Sequence, residues 1–381
     1  MLKFSAFKTK YFNLDGVIIL AFLSAFLPFY LTAIFVIVCG AYILIKKPLR
    51  RKAFAEKYNL LLVAFTIYTI ITAICNLNFI GVGCSIGFLL MFAISLYFKS
   101  VISKEQFERG LNAAVAAGFV ISILCFIDFL IFFRTVPEGR IYRTTMFFLN
   151  SNYLATLMAT VVLICAYKVI TKKGVLLLYY ITAVLSMAAI YLTGSLFAWV
   201  EVFIGVAALL LMTRRHQMLS ILLLLAATGC VVLYCVPGIL PRLQEANITT
   251  DNRVQIWKTS LEALKDFPIF GRGFLTYFLI CKNYPGAYAT AHSHNIIIEP
   301  LLSFGIIGTA LLLTYFVFYF KKVMICKNYQ SKSQISALIL AATAAALVHG
   351  TTDMTLMWVQ TGLLFLLILS GIGYEEKLLK I

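Results

Sequence analysis

The sequence predicts an all-α, polytopic membrane protein of about twelve transmembrane helices, with one large external loop carrying an amphipathic helix between helices nine and ten. Three observations predict it. Of 381 residues, 62% are hydrophobic and only 12% charged, with a mean hydropathy of +0.96, whereas soluble proteins are about 25% charged. Apolar runs of roughly 17–25 residues, enough to cross a bilayer, recur from end to end. Basic residues cluster in every second short loop, so that they gather on one side of the membrane.

The expected spans are 12–28, 29–45, 59–75, 79–98, 110–133, 153–170, 174–192, 195–212, 219–235, 294–320, 334–350 and 355–372. They divide the chain into helices one to nine (1–235), an external loop (236–293) and helices ten to twelve (294–381). Residues 16–45 could be one long helix or a hairpin broken near Pro28. The positive-inside rule selects the hairpin, which puts Lys3, Lys8 and Lys10 on the same side as Lys46, Lys47, Arg50, Arg51, Lys52 and Lys57. The basic N-terminus resembles a signal sequence but lacks a small-x-small cleavage site, so it reads as a retained first helix. With that choice, 23 of the 32 basic residues and both termini fall on the cytoplasmic face of a cytoplasmic (inner) membrane. The net charge of +17 is then mostly a topology signal and an attraction to anionic membrane lipids, with no need for nucleic acid.

Nine basic residues are left outside, and six are arginines: Arg134, Arg140, Arg143, Arg242, Arg253 and Arg272. Guanidinium forks match phosphate oxygens, so an arginine bias on the face where orientation does not want positive charge points to an anionic, phosphate-bearing ligand. The nine cysteines lie mostly within apolar runs, show no metal-type spacing and read as small hydrophobes; nothing supports a disulfide at Cys281.

Two external segments are expected, 134–152 and 236–293. In the second, Asp251 or Asn252 can cap a helix that Pro268 stops, with Val254, Trp257, Leu261 and Leu264 as its apolar stripe. On that reading Arg253 sits at a helix N-terminus, where backbone N–H groups favour an anion. Phe270-Gly-Arg-Gly-Phe274 comes next as a flexible turn whose glycines could let the backbone approach a ligand.

Residues 292–308 place His292 and His294 where the loop re-enters the membrane, followed by Asn295. Polar groups at such depth are costly unless partnered or used. Alternating residues in an extended entry point opposite ways, so no two-histidine metal site is expected, and no third His or Cys lies nearby. The better reading is an imidazole working as general base near neutral pH. His349, Asp353 and Glu299 are the polar groups able to reach this site from the membrane side. Either carboxylate could orient an imidazole, and Asp353 could equally be a helix cap.

His294-Asn295, nine residues, then Gly305-Ile-Ile-Gly308 resembles the O-antigen ligase superfamily of membrane glycosyltransferases, which includes surface-polysaccharide polymerases. The likeness continues upstream through Arg253-Val-Gln-Ile-Trp257 and Asp266-Phe-Pro-Ile-Phe-Gly-Arg-Gly273. Earlier, Arg143 with Asn150-Ser-Asn152-Tyr-Leu-Ala and Leu192-Thr-Gly-Ser195 are similar to family stretches, although the arginine that follows Leu-Thr-Gly-Ser there is Leu196 here. His349-Gly and Asp353 also fit.

The resemblance implies a glycan donor on undecaprenyl diphosphate, a glycan or glycolipid acceptor hydroxyl on the external face, and no metal, nucleotide sugar or other cofactor. It implies His294 as base, with His292 and Asp353 orienting it. Arg253, then Arg143 and Arg272, with Arg140 in reserve, would hold the diphosphate, and Asn295 would bind substrate. Ligase and repeat-unit polymerase differ mainly in acceptor. A flippase or transporter is the non-enzymatic alternative; against it, the halves show no internal repeat, and Asp128, Glu201 and Glu299 are too scattered for a proton path. A glycosidase using Glu245, Asp251, Glu262 and Asp266 is weaker, because Glu262 and Asp266 read as the solvated face of a helix.

Overall fold

The computed structural model describes residues 14–136, 141–172, 174–329 and 334–379. Arg140, Lys3, Lys8, Lys10, Lys173, Lys332 and Lys380 lie outside the described residues. Among the described residues every regular element is a helix.

The apolar stretch near the N-terminus is broken at Pro28 into α1 (Leu14–Ser24) and α2 (Phe29–Ile45). Proline has no N–H to continue a helix, and the carbonyls freed at the break take side-chain donors. The Thr32 hydroxyl donates to Ser24 O at 2.7 Å, and the Gln360 amide donates to Leu27 O.

Next in the chain are α3 (Leu60–Cys75), α4 (Phe79–Val101), α5 (Lys104–Phe132), α6 (Ser151–Thr171), α7 (Leu176–Thr193), α8 (Leu196–Met212) and α9 (His216–Cys235). After the surface helix α10 (Ala246–Asp266) come α11 (Ile298–Tyr329), α12 (Gln334–Gly350), α13 (Val359–Ser370) and the short α14 (Ile372–Leu379). Each expected span therefore contains a helix. Seven are long and apolar enough to cross a membrane, or eight if α2 is joined to the short helix Lys47–Ala53, bent from it by 100°. The chain is an integral membrane protein.

The most buried long helix, α6, is packed among α5, α7, α8, α12 and α13. Close approach of α8 to α12 requires Gly205, whose missing side chain leaves room for Ala345. In contrast, α9 has no buried residue and packs on α8.

The helix ends define two poles. One holds charge pairs: Lys99 bridges Glu56 at 2.9 Å and Glu376 at 3.0 Å, Lys322 reaches Glu56 at 2.5 Å, and Lys168 meets Glu108 at 2.5 Å. Burial alone would raise the Glu56 carboxyl, but Lys99 and Lys322 bring it down to about 2. The other pole carries the segment between α9 and α11, the loop between α5 and α6, and the α12–α13 connection.

The surface helix begins earlier than the sequence suggested. It starts at Ala246 with no side-chain cap, so Asp251 and Asn252 lie within it rather than at its start. Arg253 is consequently well inside the helix, and the N-terminal anion argument does not apply to it. The helix ends before Pro268 as expected, because the residue preceding proline is forced out of the helical region. Its buried face is Ile256, Thr259, Ser260 and Ala263. Trp257 and Leu264 pack at the edge of the same cluster, which includes Tyr277 and Leu302, while Leu261 is exposed.

Candidate active site

The Gly-Arg-Gly turn docks on protein backbone, not on a ligand. Both Gly271 and Gly305 take left-handed φ values, +64° and +63°, a conformation open to glycine at little steric cost. A side chain on Gly271 would strike Ser303 O at 2.5 Å and Gly305 N at 2.6 Å. The turn is stitched to the kink of α11 by Arg272 N and Gly273 N donating to Ser303 O at 3.0 and 2.7 Å, and by Ile306 N donating to Pro268 O at 3.0 Å. Asn78 donates to Phe274 O at 2.8 Å and Tyr68 to Phe270 O at 2.7 Å, tying the turn to α3 and α4 as well.

Just before the kink, Glu299 is fully buried and accepts the Ser293 N–H at 2.7 Å and the Ser303 hydroxyl at 2.8 Å. This fixes the histidine segment from below. Asn295 fixes it from the side: its Oδ1 accepts the N–H groups of Ile297 (2.8 Å) and Ile298 (3.1 Å), and its amide donates to Thr351 O at 3.1 Å. The Ile296 N–H reaches Gly350 O, at the end of α12, at 2.6 Å.

His294 takes a left-handed φ of +52°. That breaks the extended alternation the sequence suggested, and it corrects the expectation that the two imidazoles diverge. Their ring centroids lie 4.3 Å apart and both face Asp353. His294 Nδ1 is 2.9 Å from Asp353 Oδ1, and its Nε2 is 2.9 Å from the Thr290 hydroxyl. His292 Nδ1 accepts the His294 backbone N–H at 3.2 Å, while its Nε2 lies 3.4 Å from the Tyr153 hydroxyl and 3.7 Å from Asp353. Burial, followed by the neighbouring His294, pushes His292 below its ordinary range. Of the two carboxylates left open by the sequence, Asp353 is the one that touches an imidazole.

Asp353 is 0% exposed. Burial alone would raise its carboxyl, but the His294 hydrogen bond and the His294, His292 and His349 rings hold it well below the usual carboxylate range. One ligating atom each from His292, His294 and Asp353 lie within 4.8 Å of one another, so these residues are of the right type and spacing for a metal ion.

Asp353 Oδ2 accepts from the Asn152 amide at 2.6 Å, and Asn152 Oδ1 accepts from Arg143 at 3.0 Å. Asn150 caps α6 by accepting the Asn152 N–H at 2.8 Å, which sets Asn152 in place. Arg143 lies on a segment whose neighbours Tyr142 and Thr144 both donate to Asp128, while Arg143 Nε donates to Thr193 O at 2.8 Å. Gly194 ends α7 with φ +63° and lies against the Arg143 side chain. The Leu-Thr-Gly-Ser turn without its expected arginine thus carries Arg143 instead.

Burial and then the Arg242 charge draw Arg143 down to about 10, against the pull of Asp353, with Arg253 as a further repulsive neighbour. Arg253 reaches the same region with its guanidinium 5.7 Å from the Phe197 ring centre, and Asp353 and Arg242 both act on it. Arg143 and Arg253 lie near Asp353, and Arg242, itself ion-paired with Glu245, adds positive charge beside both arginines. Arg272 stands apart: its guanidinium covers Phe267 at 3.4 Å, and its electrostatic neighbours are Tyr284 and Asp266. Sequence reasoning counted Arg242 among the external arginines and Asn152 within a family-like stretch, but named neither as a site residue. Beneath the site, the intramembrane carboxylate Glu201 pairs with His349 Nδ1 at 2.6 Å, and the Thr156 hydroxyl lies 3.2 Å from the same His349 nitrogen.

These features define a polytopic membrane protein with a buried carboxylate–imidazole pair and an arginine cluster at one mouth of its bundle. Residues 181–313, about a third of the chain, from within α7 into α11, match the family described as O-Antigen ligase, which supports the O-antigen ligase superfamily for this chain. Its activity is of the ligase or polymerase type in polysaccharide biosynthesis. Both histidines and Arg253 lie within the match; Arg143, Asn152 and Asp353 lie outside it. The chain matches no curated protein.

Proposed function

We propose that this protein transfers a glycan from an undecaprenyl-diphosphate-linked donor to an acceptor hydroxyl on the external face of the cytoplasmic membrane, without a metal ion or other cofactor. The carrying observation is the chain Asp353–His294–Thr290. Because Asp353 engages Nδ1, the lone pair of a neutral His294 ring lies on Nε2, and a hydroxyl already sits 2.9 Å from that atom. An acceptor hydroxyl taking that place would give its proton to Nε2 as its oxygen attacks the anomeric carbon. The bond from that carbon to the phosphate oxygen breaks, and the electron pair leaves with the lipid diphosphate. Asp353 then faces the imidazolium so formed. A single displacement inverts the anomeric carbon.

Arg253 and Arg143, joined by Arg242, would bind the departing diphosphate, since fixed positive charge is worth most where negative charge develops. Arg272, through its backbone contacts to Ser303, holds the turn beside the histidine segment. His292 buttresses His294, and Asn295 holds the loop on which both histidines sit. The arginine-bearing pole is external and the charge-paired pole cytoplasmic, with both termini on the cytoplasmic side, because the short basic loops gather at the latter.

The test is reconstitution with lipid-linked repeat units. His294→Ala and Arg253→Ala should each abolish product while the protein still accumulates in the membrane; full activity of His294→Ala would remove the base. Chain growth from repeat units alone marks a polymerase, and product only with an added acceptor marks a ligase. Turnover that required an ion gradient would favour a transporter.

A further inference from the structure

The arginine cluster and Asp353 carry opposite charge at the same mouth, yet Arg143 and Asp353 do not pair directly. Asn152 stands between them. Arginine can only donate hydrogen bonds and a carboxylate can only accept them. The primary amide meets both: its Oδ1 accepts from Arg143 at 3.0 Å and its Nδ2 donates to Asp353 Oδ2 at 2.6 Å. The reverse amide orientation would leave both contacts repulsive, so the network dictates the flip.

We propose that Asn152 is a positioning residue that insulates Arg143 from Asp353. It leaves the guanidinium charge available to a lipid diphosphate while handing the carboxylate undiluted to His294. This rests on the functional reading above. Without an insulator, a guanidinium and a carboxylate at this separation collapse into a bidentate pair, the strongest arrangement open to them. Each would then be spent on the other, and both the diphosphate site and the imidazole would lose a partner. The site keeps Asn152 from drifting by two independent fixings. Its backbone N–H is held by Asn150 at 2.8 Å, and Arg143 itself is held to Thr193 O at 2.8 Å through Nε. Arg143's contacts to Asn152 and Thr193 use two of the five guanidinium N–H groups, leaving three for an anion.

The discriminating substitution is Asn152→Asp, which keeps size and shape and still satisfies Arg143 but presents a negative oxygen to Asp353. A residue that merely fills space tolerates that exchange. Two readouts are needed: binding of undecaprenyl diphosphate without glycan to the purified protein in detergent, and steady-state kcat and donor KM in proteoliposomes. Asn152→Asp should weaken lipid-diphosphate binding about tenfold, as one neutralised guanidinium contact would, and lower kcat about a hundredfold. Arg143→Ala should weaken binding to a similar degree, and Asn152→Asp on that background should add nothing, since there is no longer a guanidinium to neutralise.

If Asn152→Asp does not accumulate, Asn152→Ser replaces it. A hydroxyl can still accept and donate, so Ser should retain clearly more activity than Ala. Binding and kcat of Asn152→Asp within twofold of the parent, or full additivity with Arg143→Ala, or Ser no better than Ala, would each overturn the insulating role. The binding arm stands apart from the catalytic reading. Were His294→Ala fully active, the base assignment would fall, while the binding of lipid diphosphate to Asn152→Asp would still decide the insulator.

Discussion

Replacing Asp353 with asparagine exchanges one oxygen for an NH2 group and leaves the shape of the site intact. The surrounding hydrogen bonds then dictate how the new amide must sit. Asn152 presents an N–H to Oδ2 at 2.6 Å, so the new side chain must turn its remaining oxygen toward Asn152. Its NH2 then faces His294 Nδ1, which sits 2.9 Å from Asp353 Oδ1. To accept that donor the imidazole must carry its proton on Nε2 instead, and Nε2 can no longer take a proton from an acceptor hydroxyl. The same tautomer reversal in a carboxylate–imidazole–hydroxyl system lowers kcat about 10^4-fold, roughly 5.5 kcal/mol of transition-state stabilisation at about 1.4 kcal/mol per decade. We expect a loss of about 10^3–10^4 in kcat for Asp353→Asn, with donor KM changed less than tenfold. The assay is product formation from lipid-linked repeat units in proteoliposomes, with membrane abundance and melting temperature as controls. A kcat within tenfold of the parent, in folded protein, would refute the claim that Asp353 sets the tautomer of His294.

Thr290→Val should keep kcat within about threefold, because the hydroxyl of Thr290 is read as a place-holder for the acceptor; abolished activity with a glycan attached to Thr290 in the parent would instead reveal a covalent intermediate. Gly305→Ala should destabilise the fold by about 3 kcal/mol or more, since its backbone is closed to other residues and the added carbon would meet Gly271 N at 2.6 Å; a melting temperature equal to the parent's would contradict this. Folding holds His292 below its ordinary range, so below about pH 6.5 the unfolded chain takes up a proton that the native one resists. Its contribution to stability is therefore full above that pH and lost as pH falls toward the folded value, and His292→Gln should flatten the drop in melting temperature between pH 7.5 and 5.5. Excess EDTA should leave turnover unchanged; a loss restored by Zn2+ would make His292, His294 and Asp353 a metal site.

The spans were legible because bilayer thickness imposes a length and a composition, and both are visible along the sequence. The break at Pro28 could be inferred from charge placement together with proline's missing donor. Helix α10 was found, but its start was misplaced because Asp251 and Asn252 are good caps that the structure does not use for capping. The histidine pair was found as residues and missed as geometry. An extended entry sends alternate side chains apart, and only the left-handed turn at His294, set by the contacts of Ser293 and Asn295 on either side, brings the rings together. Asp353 was one of two open carboxylates, since sequence alone does not tell which helix end faces the loop. Arg242 was seen only as one of the external arginines and Asn152 only within the Asn150-Ser-Asn152 stretch, and neither was assigned to the site, for a different reason. Their importance comes from neighbours 99 or more residues away in the chain, Arg143 for the first and Asp353 for the second, and no local pattern records such a contact.

The backbone-to-backbone seat of Gly271 against Gly305 restricts how this mouth can widen. Residues 268–274 are bolted to α11 and secured to α3 and α4, so they and the histidine segment travel as one rigid body. The stretch leaving α9, from Pro237 to Glu245, is held by Tyr191 donating to Ile239 O at 3.1 Å and by Arg242 donating to the Thr249 hydroxyl of α10 at 3.1 Å. For the proposed glycan transfer, passage of a sugar chain on the Arg242 flank would leave the imidazole undisturbed.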